Sequence, residues 1–133
     1  GSVVVLDERS NRLFTGDAIG SGYGVWMQTP TAVPLETYYE SLVHLLKWLV
    51  DRGGRMSFHG GHRYQMFQST HIPAFNPPSL GLLCDLIDLV DQIIHGKIVG
   101  RISNVDNIME LEPVLYAAYG RAEIQYKASN IKI

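Results

Sequence analysis

Two short motifs, Thr15-Gly16-Asp17 and Gly60-Gly61-His62, determine how this chain is interpreted. Each one ends an apolar segment typical of a buried strand, Leu13-Phe14-Thr15 in the first case and Met56-Ser57-Phe58 in the second. Each places a potential metal ligand, a carboxylate or an imidazole, directly after a glycine. We therefore expect these two side chains to converge on one ion at the end of a sheet. Zinc requires further ligands, so two residues alone do not complete the site.

Composition indicates one folded domain. The chain has 133 residues, 46% of them apolar and 18% charged, which is too apolar for a disordered segment. A formal net charge of −2 and the absence of any Lys/Arg cluster argue against nucleic acid as a partner. No apolar run approaches the roughly 20 residues that span a bilayer, and the lone Cys84 excludes an intramolecular disulfide. We predict a single domain over residues 1–133, with no membrane partner and a cytoplasmic location.

Apolar periodicity predicts two helices. Leucine and tyrosine recur at helical spacing from Leu35 to Leu49, directly after Pro34, which suits a first helical turn. A second apolar stripe runs from Leu82 to Ile94, and Ser79 is placed to cap it. The spacing therefore predicts two amphipathic helices, each with one face in the core.

Polar side chains on these helices are interpreted as solvated. His44 lies among charged neighbours, and Asp85, Asp88 and Asp91 recur along the outer side of the second helix. Three carboxylates at this spacing can suggest a cation site, but on an amphipathic helix they typically form a solvated face. His95 suits the carboxyl end of its helix, where a cation is favoured.

Strands are predicted at both ends of the chain. Val3-Val4-Val5-Leu6 and Leu13-Phe14-Thr15 read as a hairpin around the polar turn Glu8-Arg9-Ser10-Asn11. Near the carboxyl end, apolar and polar residues alternate from Ala122 to Lys127, which is typical of a half-buried strand. Ile131-Lys132-Ile133 is a candidate for a final edge strand.

Two segments suit ligand-binding loops. Gly20, Gly22 and Gly24 permit a loop whose backbone approaches a ligand closely, although no helix start follows as in a phosphate-binding loop. Residues 63–78 mix aromatic, polar and proline residues, which is typical of a long surface loop that could border a substrate cleft.

The order of these motifs resembles the carboxyl-terminal half of a metallo-β-lactamase superfamily hydrolase. Residues 1–7 are similar to the family's strand after the HTPGS motif, residues 13–18 to its Gly-Asp segment and residues 58–62 to its last Gly-His segment. The resemblance implies an α/β (α+β) fold, one half of a four-layer αββα sandwich, with a mixed sheet and two main helices.

The resemblance also implies a metal site. Asp17 would bridge two zinc ions and His62 would bind the second, so both would be catalytic as well as metal ligands. A metal-bound hydroxide would attack an ester, thioester, lactam or phosphoester in a small-molecule substrate. His59 remains an alternative ligand or an outer-sphere hydrogen-bond donor at the same turn. A simpler alternative for Asp17 is a capping carboxylate after a strand.

The chain departs from the family because the HxHxDH motif, which supplies most of the metal ligands, is absent. We therefore expect a fragment or a shortened relative, inactive alone, whose exposed sheet face is covered by a second copy or by an amino-terminal half. Two other functions stay open. One is a non-catalytic, dimerising scaffold, and the other is a small-molecule binding domain that uses the Gly20–Gly24 loop and the aromatic segment Tyr64–Phe75.

Overall fold

The structure, a computed structural model, describes residues 2–20, 24–61, 77–103 and 112–132, and it confirms a mixed α+β fold with two main helices. Within these ranges, seven strands accompany the helices and divide between two mixed sheets. In chain order the elements are β1 Val5–Asp7, β2 Arg12–Gly16, β3 Val25–Trp26, α1 Leu35–Asp51, β4 Ser57–Gly60, α2 Leu80–Ile94, β5 Arg101–Ile102, β6 Leu115–Tyr119 and β7 Ala122–Tyr126.

The first helix, α1, forms as the periodicity predicts. Pro34 stands at its amino-terminal boundary, and Leu35, Leu42 and Leu49 are buried along one face. The helix ends where the Gly54 N–H donates to the Leu49 carbonyl at 2.9 Å. Seven-residue spacing of these leucines keeps them on one stripe, so α1 buries a single side.

The second helix, α2, is capped by the residue that the sequence indicates. The Ser79 hydroxyl oxygen accepts the Leu82 N–H at 3.0 Å, which satisfies one of the free donors of the first turn. Leu83, Leu86 and Val90 have no exposed surface. Since α2 packs against α1 and against β6 and β7, it lies at the centre of the core.

A three-stranded sheet in the order β1-β2-β4 carries both sequence motifs. The predicted hairpin joins β1 and β2 antiparallel, and β4 then adds to β2 in parallel. At the hairpin turn, Ser10 Oγ donates to Asp7 Oδ2 at 2.6 Å and the Arg9 N–H donates to Asp7 Oδ1 at 3.1 Å. Both hydrogen bonds lower the pKa of the exposed Asp7 carboxyl, and the bond from Ser10 has the larger effect.

The two faces of the three-stranded sheet differ. Leu13 and Phe58 are buried, whereas Val5 and Phe14, which are cross-strand partners on the opposite face, are 54% and 43% exposed. The His59 ring lies beside Phe14 on that same face. An apolar, partly exposed sheet face is therefore present, and its expected partner stays a prediction.

Neither α1 nor α2 has the length and apolar character of a membrane-spanning helix, and the described ranges contain no other candidate.

The second sheet has the order β3-β7-β6-β5 and includes three strands that the sequence does not predict, β3, β5 and β6. The predicted strand β7 forms its centre, paired antiparallel with β6 and parallel with β3. Gln125, expected on the polar face of β7, is buried because it lies in register between Trp26 and Tyr116. The expected edge at Ile131 and Lys132 does not form, since a 3-10 turn at Ala128–Asn130 ends the strand region instead.

Candidate functional site

Two neighbouring parallel strands bring the sequence motifs to one edge of the three-stranded sheet. Phe14 pairs with His59 and Gly16 with Gly60, with an irregularity at Thr15 between them. The carboxyl ends of β2 and β4 therefore lie side by side. Beyond the last pair, the Gly61 N–H donates to the Gly16 carbonyl at 3.2 Å, which extends the contact by one more residue.

Asp17 lies directly at this edge. Asp17 is exposed. The turn that follows β2 is closed by the Ala18 N–H, which donates to the Thr15 carbonyl at 2.9 Å. A β-carbon placed on Gly61 would lie 3.6 Å from Asp17 Oδ1 and 3.2 Å from the Gly16 α-carbon. The Asp17 carboxylate is thus a neighbour of Gly61, and the close approach of the two backbones favours glycine there.

His62, the predicted imidazole ligand, lies outside the described residues. It follows Gly61 directly in the sequence, and Gly61 is the last described residue before it. The structure therefore brings the Asp17 carboxylate next to the residue that precedes His62. Coordination by these two side chains stays a prediction.

His59, the alternative imidazole, lies on the partly exposed sheet face. Its Nε2 is 3.1 Å from the Ser57 hydroxyl, and its ring centroid is 5.4 Å from that of Phe14 with the planes tilted by 32°. Thr15, on the buried face, donates its hydroxyl to the His59 carbonyl at 3.3 Å. His59 is therefore held between Phe14 and Ser57, and its role as a ligand stays a prediction.

Tyr38 fixes the loop that carries Asp17, and the sequence does not reveal this role of Tyr38. Its hydroxyl donates to the Ala18 carbonyl at 2.6 Å and joins the first turns of α1 to the residue after Asp17. Burial of the phenol raises the pKa of Tyr38. The periodicity assigns Tyr38 only to an apolar face, because a hydroxyl partner 20 residues away leaves no local pattern.

A cleft of about 1000 Å³ opens beside Asp17. Its apolar lining includes Ile19, Val25, Met27, Ala32, Leu42 and Leu45. Both tryptophans, Trp26 and Trp48, also line it, as do Ser41 and His44. The expectation that His44 is exposed is confirmed, and the structure adds that it belongs to the cleft that Asp17 borders.

Of the three acidic residues expected on a solvated face of α2, Asp88 is exposed, whereas Asp85 and Asp91 are partly buried. Asp85 Oδ2 accepts the Arg121 N–H at 2.9 Å and lies 3.3 Å from its guanidinium, which ties α2 to the turn between β6 and β7. His95 Nδ1 lies 3.2 Å from Asp91 Oδ1 at the end of the helix, as its predicted position suggests. Within the part of the chain that the structure describes, no group of three or more His, Cys, Asp and Glu side chains is arranged to hold a metal ion.

The glycine-rich loop has a structural role at its end. A β-carbon on Gly24 would lie 2.6 Å from the Glu123 carbonyl oxygen, so Gly24 permits β3 to lie close against β7. Ser21-Gly22-Tyr23 and the aromatic segment 64–75, the other parts of the predicted ligand-binding loops, lie outside the described residues.

Comparisons of this chain with protein-family models, with curated proteins and with solved structures found no match. The resemblance to the metallo-β-lactamase superfamily therefore remains a prediction based on the motifs at Asp17 and His62.

Proposed function

We propose that this chain supplies half of the active site of a zinc-dependent hydrolase of the metallo-β-lactamase type. The observation that carries the proposal is the position of the Asp17 carboxylate beside Gly61, at the shared carboxyl edge of β2 and β4. His62 comes next in the chain, so the sequence supplies an imidazole directly after the residue that the Asp17 carboxylate neighbours. Both are common ligands of zinc.

The two residues have different roles in this proposal. Asp17 would help to hold two zinc ions through its carboxylate, and His62 would bind one of them through a neutral ring nitrogen. When bound, zinc supplies Lewis acidity and a water of lowered pKa. Tyr38 keeps the Asp17 turn in position through its hydrogen bond to Ala18.

The donor set is chemically suitable but incomplete. A catalytic zinc site takes three protein ligands and one open position, and Asp17 and His62 provide two. The remaining ligands come from a second polypeptide segment, either an amino-terminal half or another copy of this chain. That requirement also gives a role to the apolar face with Val5 and Phe14, which such a segment would cover.

Zinc affinity tests the proposal. We expect Asp17→Asn to weaken zinc binding by roughly tenfold or more, measured by competition with a chromophoric chelator, because a neutral amide is a poor ligand. Asp88→Asn is the matched control, since Asp88 is an exposed carboxylate on α2, whose main strand neighbours, β6 and β7, belong to the other sheet. Equal zinc affinity in wild type, Asp17→Asn and Asp88→Asn would contradict a ligand role for Asp17.

A non-catalytic, dimerising scaffold is the second candidate. It is favoured by Val5 and Phe14, two large apolar side chains that remain about half exposed on one sheet face. This function predicts a folded dimer that is unaffected by chelators. The hydrolase instead predicts that chelators lower the stability of the zinc-loaded protein, which a thermal melt measures.

A further inference from the structure

β3 lies at one end of the strand order β3-β7-β6-β5, and within the described ranges β7 is its only strand partner. Trp26 lies opposite Gln125, and the Met27 N–H donates to the Gln125 carbonyl at 2.8 Å. In a parallel pair of strands, the residues on either side of such a bridging residue make the hydrogen bonds to the neighbouring strand. The N–H and the carbonyl of Trp26 itself therefore point away from β7, to the outer side of β3.

The cleft beside Asp17 lies along this outer side of β3. Val25, Trp26 and Met27 follow one another in the chain, and all three belong to the cleft lining. Because successive side chains of a strand point to opposite faces, a cavity that reaches three residues in a row meets the strand along its edge. The outer edge of β3 is therefore one wall of the cleft.

Helix α1 forms a second wall. Tyr38, Ser41, Leu45 and Trp48 all line the cleft, and their helical spacing places them on one stripe of α1. At a rise of 1.5 Å per residue, this stripe is about 15 Å long. An extended chain rises about 3.3 Å per residue, so a segment of about four to five residues would match the length of the stripe. The cleft therefore has the dimensions of a groove for an extended peptide.

The lining of the groove is mainly apolar. Val25, Met27 and Leu42 are buried, whereas Trp26 and Val33 remain 48% and 45% exposed. Exposed apolar side chains beside a concave surface are typical of a binding site. A ligand that covers these two side chains removes their apolar area from water, which favours binding.

Hydrogen-bonding groups of the groove favour a peptide over a purely apolar ligand. The Ser41 hydroxyl already donates to the Thr37 carbonyl at 3.0 Å, and the Tyr38 hydroxyl donates to the Ala18 carbonyl at 2.6 Å. The main chain of Trp26 is different, because an alkyl chain laid against β3 would bury its N–H and carbonyl without a partner. A peptide strand would supply an acceptor and a donor at that point.

We propose that this groove binds an extended peptide segment of another protein, with apolar side chains at alternate positions, as an additional strand on β3. Main-chain hydrogen bonds to Trp26 hold the added strand, and its apolar side chains pack against the lining between β3 and α1. The inference concerns binding alone, and it does not depend on the hydrolase function or on a bound metal.

Fluorescence anisotropy of labelled peptides provides the test. The probe is a capped, fluorescein-labelled peptide with the sequence Leu-Thr-Val-Thr-Leu, titrated in the presence of a chelator. The wild-type chain should bind it saturably. A matched peptide with the sequence Ser-Thr-Ser-Thr-Ser should bind at least about tenfold more weakly, because it has no apolar side chains to bury.

Two N-methylated derivatives test the main-chain hydrogen bonds. One carries N-methyl groups on both threonines, and the other carries one on the central valine. Because successive N–H groups of a strand point to opposite edges, the methyl groups of only one derivative would face β3. That derivative should bind at least about tenfold more weakly than the unmethylated peptide, since it loses donors and collides with β3, and the other should bind with nearly unchanged affinity.

Two variants of α1 locate the binding site. Ser41→Arg places a long charged side chain in the groove, whereas Val50→Arg adds the same side chain at a position that is 56% exposed and outside the described lining. We expect Ser41→Arg to weaken binding of the apolar peptide by about tenfold and Val50→Arg to leave it unchanged. Circular dichroism verifies that both variants fold, and the peptide comparisons on the wild-type chain stand without them.

The inference is overturned if the wild-type chain shows no saturable binding, or if the apolar and serine-containing peptides bind equally. Equal affinities of the two N-methylated derivatives would exclude strand addition and leave an apolar ligand without main-chain pairing as the occupant of the groove. Equal effects of Ser41→Arg and Val50→Arg would place the peptide elsewhere on the molecule.

Discussion

Replacing Gly24 with alanine tests how closely β3 lies against β7. Gly24 has a φ of +81°, and an added β-carbon would lie 2.6 Å from the Glu123 carbonyl oxygen and 2.7 Å from the Glu123 β-carbon. The left-handed conformation costs an alanine about 1–2 kcal/mol. Overlap with the backbone of β7 cannot be relieved by rotating a side chain, and overpacking of this kind adds about 1–3 kcal/mol. We therefore expect Gly24→Ala to lower the free energy of unfolding by roughly 2–5 kcal/mol.

Gly53→Ala is the matched control for this prediction. Gly53 has a similar φ of +92°, but no heavy atom lies within 4 Å of its added β-carbon. Only the conformational cost applies, so Gly53→Ala should lose about 1–2 kcal/mol. The difference between the two variants isolates the close approach of Gly24 to Glu123.

Urea unfolding followed by circular dichroism measures both variants. With a slope of about 2 kcal/mol per molar urea, a difference of 2 kcal/mol moves the midpoint by about 1 M, which is easily resolved. Equal midpoints for Gly24→Ala and Gly53→Ala would refute the reasoning, because β3 would then have room to move away from β7 at no cost.

Three further predictions concern α1, α2 and the apolar sheet face. Tyr38→Phe should cost about 1–3 kcal/mol, because the Ala18 carbonyl loses its hydrogen bond. Burial raises the pKa of Tyr38, so above the ordinary tyrosine pKa of about 10 the native state keeps a proton that the unfolded state loses. The free energy of unfolding should therefore fall with rising pH in urea titrations of the wild type, by up to about 1.4 kcal/mol per pH unit from this group, and Tyr38→Phe should lack that part of the slope. Ser79→Ala should cost about 1 kcal/mol by the same urea assay through loss of the α2 cap, and an unchanged midpoint would contradict it. Light scattering at micromolar concentration should detect a wild-type dimer that Phe14→Arg dissociates and Val50→Arg, at an exposed position on α1, does not; a well-folded wild-type monomer would argue against self-association through this face.

The sequence predicts best those elements whose signals are local. The leucine spacing lies within α1 itself, and the capping serine directly precedes α2. The polar turn lies between β1 and β2, the two strands that it joins. β3, β5 and β6 carry no comparable signal. β3 and β5 are two residues long, and Val25 and Trp26 become a strand only through pairing with β7, about 100 residues later in the chain.

The candidate site also has one part that the sequence predicts and one part that it does not. The sequence predicts that the Asp17 and His62 side chains approach one another, because each follows an apolar strand. The structure places Asp17 beside Gly61, while His62 itself lies outside the described residues. It does not predict the cleft. An exposed position such as His44 has the same periodicity whether its helix face borders open solvent or a concave surface, and only the packing of residues 24–33 near α1 makes that distinction.

The position of Asp17 next to Gly61 depends on main-chain hydrogen bonds between two parallel strands, and Tyr38 is the side chain that secures the turn after β2. An arrangement of this kind tolerates extensive sequence divergence, since most substitutions leave the ladder intact. Evolution can therefore remove or replace individual ligands at this rim and still retain the scaffold that aligns them. The same property makes the rim a suitable starting point for protein engineering, in which new coordinating residues are introduced at positions that the backbone already holds together.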